Sequence, residues 1–298
     1  MDYLSPLRYP GGKAVLVDYF DSLLKSKLLL GCKFYEPYAG GASISIGLLK
    51  RGVISTAVLV EKDPLISSFW KCVMGDTDRL CAKIMKTKIS LATWRRKRKY
   101  LSPGAAKKYS NLDLGFAGFF LNRTSFSGIL DAGPIGGFTQ SSRYDIGCRF
   151  NKERLCKLIL EISRFGKKLS IESGDAVAYL KKNGKRIEKE NSLVYIDPPY
   201  YVQGKKLYRH HYLEADHQKL AEFISRQKYR WIVSYDNHLN IRRMFAGQKI
   251  MPIFLNYVVK QARRADELLI SNVTLIEVRY GDSAKAQSFD NGRKLATN

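Results

Sequence analysis

Apolar residues along the chain alternate between two periods. Short runs at 33–36, 56–60, 169–172, 192–196 and 230–235 are rich in β-branched and aromatic side chains and end in Pro, Gly, Asp or Asn, which marks each as a strand. Between them, apolar positions recur at helical spacing. Val15, Leu16, Tyr19, Leu23 and Leu24 form one such stripe, residues 43–50 a second, and Leu155, Leu158, Ile159, Ile162 and Phe165 a third. Asp175 caps a helix running through Leu180, residues 181–190 form a charged connection, and Asp216 caps a helix over 218–227. Residues 254–259 and 274–280 read as closing strands. Strands alternating with helices predict an α/β fold.

The stretch from about Ser67 to Arg164 breaks this rhythm. Residues 116–121 are apolar, and the Asn122-Arg123-Thr124-Ser125-Phe126-Ser127-Gly128 segment with the later Gly133-Pro134 reads as a β-hairpin or paired loops. Asn122, Arg123 and Ser127 on such a hairpin suit the reading of a nucleic-acid groove.

Charge narrows the partners. Lys and Arg total 51 against 27 Asp and Glu, a net +24 that points to a polyanion. Between Cys81 and Asn111 there are ten basic residues and no acid, with Arg95, Arg96 and Arg98 inside the contiguous run 95–99 and Trp94, Tyr100 and Tyr109 around it. We therefore expect phosphate contact there. No apolar run reaches membrane-spanning length, and residues 1–5 show no export signal. Five cysteines without Cys-x-x-Cys spacing read as free thiols of a reducing cytoplasm, not as a metal site. His210, His211 and His217 beside Glu214 and Asp216 lack a helical i, i+4 histidine pair, so no metal is expected there either.

Two stretches carry chemistry. The Gly40–Gly41 loop follows the first strand, and Glu61 ends the next, 21 positions after Gly40. That spacing suits an adenosine-type cofactor, while the missing Gly-x-Gly-x-x-Gly disfavours a dinucleotide. Asp197 ends the 192–196 strand and leads into Pro198, Pro199, Tyr200 and Tyr201. Two prolines stop the ladder and stiffen the turn, so the Asp197 carboxylate and the Pro198 carbonyl become a rigid pair of acceptors. Such a pair can hold both N–H groups of an exocyclic amine, with Tyr200 as a face on which the ring stacks. An adenine edge fits. Lys205, Lys206, Arg209, His210 and His211 follow in a loop that suits a cover over a phosphate backbone.

Arg-Tyr-Pro-Gly-Gly-Lys (8–13), Glu-Pro-Tyr-Ala-Gly-Gly-Ala-Ser (36–43), Asn-Arg-Thr-Ser-Phe-Ser-Gly (122–128) and Asp-Pro-Pro-Tyr (197–200), in that order, resemble the Dam-type DNA adenine-N6 methyltransferases. The likeness runs from about Leu7 to Asn272 and includes the late segment 266–269. It implies a Rossmann-like fold with a mostly parallel sheet that binds S-adenosylmethionine, made of residues 1–66 and 165–282. A largely helical target-recognition insertion with a β-hairpin would span 67–164, and a polar tail 283–298. It further implies that Tyr9, Lys13, Glu36, Gly40, Glu61, Asp175 and Asp197 hold the cofactor, that Asp197, Pro198 and Tyr200 act on the target, and that double-stranded DNA is the substrate. A cytoplasmic monomer is expected. The resemblance is compatible with a cognate restriction nuclease and with a solitary enzyme. Residues 129–134 lack the arginine carried by readers of GATC, so that specificity is not transferred. An RNA adenine methyltransferase and a non-catalytic nucleic-acid binder on the same fold remain the alternatives.

Overall fold

The computed structural model describes residues 4–9, 12–207, 209–257 and 263–277. Seven strands form one sheet in the order β3-β2-β1-β4-β5-β7-β6. They are β1 (Lys33–Glu36), β2 (Thr56–Glu61), β3 (Leu169–Ser173), β4 (Ser192–Ile196), β5 (Trp231–Asp236), β6 (Lys249–Tyr257) and β7 (Arg263–Ser271). The first five are parallel to one another, and β7 runs antiparallel to both β5 and β6. Strand order therefore reverses between β1 and β4. A doubly wound sheet opens its ligand crevice at the carboxyl ends of such a pair.

Alternation along each strand makes two cores. Phe34, Ala57, Leu59, Leu193, Tyr195 and Ile232 face one side; Tyr35, Val58, Val60, Val194, Ile196 and Val233 face the other. On the first side lie α1 (Val17–Ser26), α2 (Ser43–Lys50) and the helices inserted between β2 and β3. Those are α3 (Pro64–Gly75), α4 (Thr77–Lys86), α5 (Leu91–Arg98), α6 (Ala105–Lys108), α7 (Asn111–Thr124) and α8 (Lys152–Ser163). On the second side lie α9 (Ala176–Lys189), α11 (Glu214–Ser225) and α12 (Leu239–Met244), while α10 (Gly204–Leu207) is a single turn after β4. Each fully buried aliphatic or aromatic side chain contributes about 2 kcal/mol, so both faces are strongly held.

The insertion shares the first core. Phe69, Trp70, Phe116, Phe119 and Ile159 join Leu48, Leu59 and Leu193 in one cluster. A Cβ on Gly115 or Gly118 of α7 would come within 2.8 Å of α3 atoms, so these glycines let the two helices meet closely. Helix α3 crosses the boundary expected at residue 66.

Several local expectations are corrected. Residues 122–124 continue α7, and the expected hairpin reduces to one bridge between Ser125 and Pro134 around a short 3₁₀ turn at 126–128. The connection at 181–190 is helical through Lys189, because Leu180 and Ile187 fall on one buried stripe of α9. Asp216 lies inside α11, where its side chain accepts from the Leu213 N–H. The last two strands begin earlier than expected, and residues 274–277 are irregular; 258–259, 278–280 and the tail lie outside the described residues. Pro252 is tolerated because β6 is an edge strand.

Candidate active site

The carboxyl edge of β1, β2, β4 and β5 gathers the acids that the sequence singles out. Asp197 follows β4, and its Oδ1 accepts from Ser234 Oγ of β5 at 2.6 Å. Lys13 Nζ lies 3.1 Å from the same oxygen. Among the described residues no hydrogen bond goes to Asp197 Oδ2 or to the Pro198 carbonyl, so one carboxylate oxygen and the backbone oxygen of the next residue keep their acceptor capacity.

Lys13 is buried and joins three groups. Besides Asp197, its Nζ donates to the Tyr200 hydroxyl at 2.8 Å and pairs with Glu267 of β7 at 3.3 Å. Tyr200 in turn donates to Glu267 at 2.9 Å, which fixes its ring. One cation and two carboxylates meet in this cluster. Glu36, at the end of β1, does not add a full charge: burial, opposed by the Ser45 N–H and hydroxyl and reinforced by Asp197, pushes its pKa up to about 8.

The loop after Asp197 is clamped from β5. Asp236 accepts from the Tyr201 N–H at 2.8 Å with one oxygen and from the Val202 N–H at 2.9 Å with the other. The Tyr201 hydroxyl donates to Glu214, and Asn240 donates to that hydroxyl at 2.7 Å. A carboxylate shared by successive N–H groups is a charge-assisted brace, and here it fixes the proline corner from behind.

The glycine loop is similarly pinned. Glu61 accepts from the Gly40 N–H at 2.9 Å and the Asp63 N–H at 2.8 Å, one oxygen each, so each oxygen keeps a lone pair for a further donor. Burial, then the charge of Asp63, raises Glu61 to about 7, with the backbone N–H groups opposing. Gly40 has φ +44, and a Cβ there would come within 2.9 Å of the Tyr9 ring. A cradle of bare backbone under an aromatic, beside an acid with spare lone pairs, fits an adenosine-bearing cofactor. Asp175 follows β3 and caps α9 through the Ala178 N–H at 3.0 Å, with Lys62 at 3.2 Å.

The expected nucleic-acid contacts divide. Arg95 and Arg96 are exposed on α5. Arg98 instead lies over the Trp94 ring and donates to the Asp131 and Ala132 carbonyls, which ties α5 to the 125–134 loop. Asn122 and Arg123 are buried and do not present their side chains on a hairpin. Asn122 accepts from the Arg8 N–H at 2.7 Å and donates to the Arg8 and Gly128 carbonyls, while Arg123 donates to the Arg149 carbonyl. Their polar groups secure the 5–9 segment and the entry to α8. Ser127 is half-buried with φ +54. In the loop after Tyr201, Arg209 pairs with Asp63 at 3.0 Å and Asp131 at 2.9 Å, bridging the catalytic edge to the insertion. His217 is buried, its Nδ1 2.8 Å from the Tyr235 hydroxyl. Among the described residues there is no metal-holding group of His, Cys, Asp or Glu, and no helix is long and apolar enough to cross a membrane.

Ser234, Asp236 and Glu267 escape a sequence reading of the site. Ser234 and Asp236 sit on a strand that reads only as apolar core, and Glu267 shows itself solely through the late-segment resemblance.

Comparison with known families places the chain as a whole. The family model of D12 class N6 adenine-specific DNA methyltransferases matches residues 9–259. The chain belongs to this family. A D12-class enzyme methylates the N6 amine of adenine in DNA, and the family implies catalysis that depends on S-adenosylmethionine. Two solved structures are similar over most of their length. One is a Pyrococcus horikoshii protein described as an RNA methyltransferase, at 11% identity and TM-score 0.36, covering 89% of this chain and 84% of the other. The second is the rRNA methyltransferase aviRa from Streptomyces viridochromogenes, at 12% identity and TM-score 0.38, covering 89% and 85%. No curated protein matches the chain.

Proposed function

We propose that the carboxyl edge methylates an adenine flipped out of duplex DNA. The observation that carries this reading is the division of labour at Asp197: Oδ1 is committed to Ser234 and Lys13, while Oδ2 and the carbonyl of the following Pro198 keep their acceptor capacity. Two fixed acceptors match the two N–H groups of an adenine amine and turn its nitrogen lone pair away from them. An adenine stacked in a duplex cannot reach that corner, so it must leave the stack. Tyr200, its hydroxyl tied to Lys13 and Glu267, offers the ring face against which the base rests.

When bound, S-adenosylmethionine supplies an electrophilic methyl group on a sulfonium. Tyr9, Gly40 and Glu61 would hold its adenosine part, with the spare lone pairs of Glu61 taking the ribose hydroxyls and Asp175 beside the base. Lys13 and Glu36 would border its methionine end. As the amine nitrogen forms its new bond it must shed a proton, and Asp197 Oδ2 is placed to take it. Orientation and fixed charge supply the rate, with no covalent intermediate.

Residues 67–164 form the target-recognition part in this reading. Arg95, Arg96 and Ser127 are the contacts left available to DNA there, with Asn122 and Arg123 shaping the loop from beneath. The test is a competition in which labelled S-adenosylmethionine is offered with duplex DNA and structured RNA together. Label in N6-methyladenine of the DNA is expected; label confined to RNA, or none, overturns the reading.

A further inference from the structure

Of the four histidines only His217 is buried, at 1% exposed, and the proposed reaction does not use it. It stands in the first turn of α11. Its Nδ1 lies 2.8 Å from the Tyr235 hydroxyl of β5, while among the described residues its Nε2 has no hydrogen-bond partner. Burying a nitrogen without a partner is unfavourable, and the groups gathered round the ring are what offset it. Three tyrosine rings pack against the imidazole. Tyr235 comes from β5 at 5.5 Å between ring centroids, Tyr201 from the corner after Asp197 at 5.2 Å, and Tyr212 from the stretch before α11 at 5.4 Å. Tyr212 extends the line of contacts: its hydroxyl shares a 2.7 Å hydrogen bond with that of Tyr38, which precedes the Gly40 loop. One side chain therefore touches the catalytic corner directly and the cofactor loop through a single intervening ring.

We propose that His217 is a positioning residue that sets the catalytic corner against the cofactor loop. The inference rests on the methyltransferase reading and adds to it a residue that the contacts with adenine and cofactor leave out. Asp236 holds the Tyr201 N–H, and Glu214 and Asn240 hold its hydroxyl. Those contacts fix the two ends of the residue. Its ring plane is set by His217 and by His238, the latter at 4.6 Å. Tilted and edge-on contacts of this kind, at 56° with Tyr201 and 64° with Tyr212, are directional, so a turned imidazole turns both tyrosines. The Tyr235 hydrogen bond keeps the imidazole from turning. An asparagine would keep that hydrogen bond, since its amide reaches the place of Nδ1, but would remove the ring on which Tyr201 and Tyr212 rest.

Steady-state methyl transfer to duplex DNA, with both substrates varied, tests the proposal. His217→Asn should lower kcat about 10- to 100-fold, the effect of a small misplacement of the corner. It should also raise the KM for S-adenosylmethionine about 3- to 10-fold, the size of one lost aromatic contact. Partial unfolding would reduce kcat alone, so a fall in kcat with the KM unmoved assigns His217 to the core and overturns the proposal. Wild-type values of both overturn it too. Tyr212→Phe loses only the hydroxyl of a half-buried side chain, so its folding is not at issue. It should raise the KM by a similar factor and lower kcat less than His217→Asn does; an unmoved KM breaks the proposed link to Tyr38 and contradicts the proposal. In His217→Asn/Tyr212→Phe the KM should rise no further than in His217→Asn, because the route is already cut, whereas multiplied effects show two separate supports and contradict it. A wild-type chain that transfers no methyl group to duplex DNA defeats the methyltransferase reading itself; wild-type transfer with an unmoved KM in both variants refutes this inference alone.

Discussion

Lys13 Nζ stands 3.1 Å from Asp197 Oδ1 and 3.3 Å from Glu267 Oε2, so a lysine from the first turn of the chain pairs with two acids, one just after β4 and one on β7, strands that lie on either side of β5. The Lys13 and Glu267 side chains are 4% and 3% exposed, which makes the pairing a buried one.

Removing the cation should cost more than the pair contributes. Lys13→Met takes this cation away from the buried Glu267 carboxylate and from Asp197, and breaking a buried pair from one side costs about 3–5 kcal/mol. Urea denaturation should show that destabilisation in Lys13→Met, and Lys13→Met/Glu267→Gln should recover much of it. Methyl transfer should stay low in both, because Asp197 and Tyr200 no longer share a partner.

Asp236 positions the proline corner without touching the substrate. Asparagine at this site keeps one acceptor but turns an NH2 toward a backbone N–H. Asp236→Asn should lower kcat by about 10- to 100-fold, the cost of a small misplacement, while the KM for S-adenosylmethionine stays close to the wild-type value. Steady-state kinetics separates the two; a rise confined to KM would assign Asp236 to cofactor binding instead.

Glu61 makes cofactor affinity depend on pH. Its pKa lies at about 7 in the free protein, and only the ionised carboxylate can accept from two ribose hydroxyls with its remaining lone pairs. Affinity should therefore rise between about pH 6 and about pH 8 as the acid ionises. Calorimetry across this range should show the rise in the wild type and a smaller one in Glu61→Gln, the remainder belonging to Glu36, whose pKa of about 8 falls at the upper end of the window.

Gly40 is needed for two independent reasons: φ +44 and the Tyr9 ring over its Cα. Gly40→Ala should weaken S-adenosylmethionine binding at least about tenfold, since the left-handed backbone alone costs a side-chain-bearing residue about 1–2 kcal/mol. Gly40→Ala/Tyr9→Ala should regain only the steric part. Equal affinities in the two variants would show that the ring plays no part.

Much of this was legible in the sequence where local chemistry decides the outcome. The bounds of α2 and β4 follow from glycine and proline punctuation and from apolar alternation, and the Asp197-Pro198-Pro199-Tyr200 corner announces its own stiffness. The helical end of α7 was not legible, because Asn122, Arg123 and Thr124 read as loop residues. Their polar groups are satisfied by the backbones of Arg8, Gly128 and Arg149, which lie in distant or following segments, and by the Phe120 carbonyl within the helix. The same holds for α9, whose many charges hide a narrow buried stripe. Ser234, Asp236 and Glu267 act on residues about 35 to 70 positions away, across a pairing of strands that no local pattern encodes.

The account turns on Asp197 Oδ2 as an acceptor for the adenine amine. Single-turnover methyl transfer to duplex DNA by Asp197→Ala, with duplex affinity measured alongside, tests it most directly. The rate should fall by at least about 10³-fold while duplex binding is retained, since a positioned proton acceptor and an orienting hydrogen bond are removed together. A variant that transfers methyl groups at the wild-type rate would contradict the account.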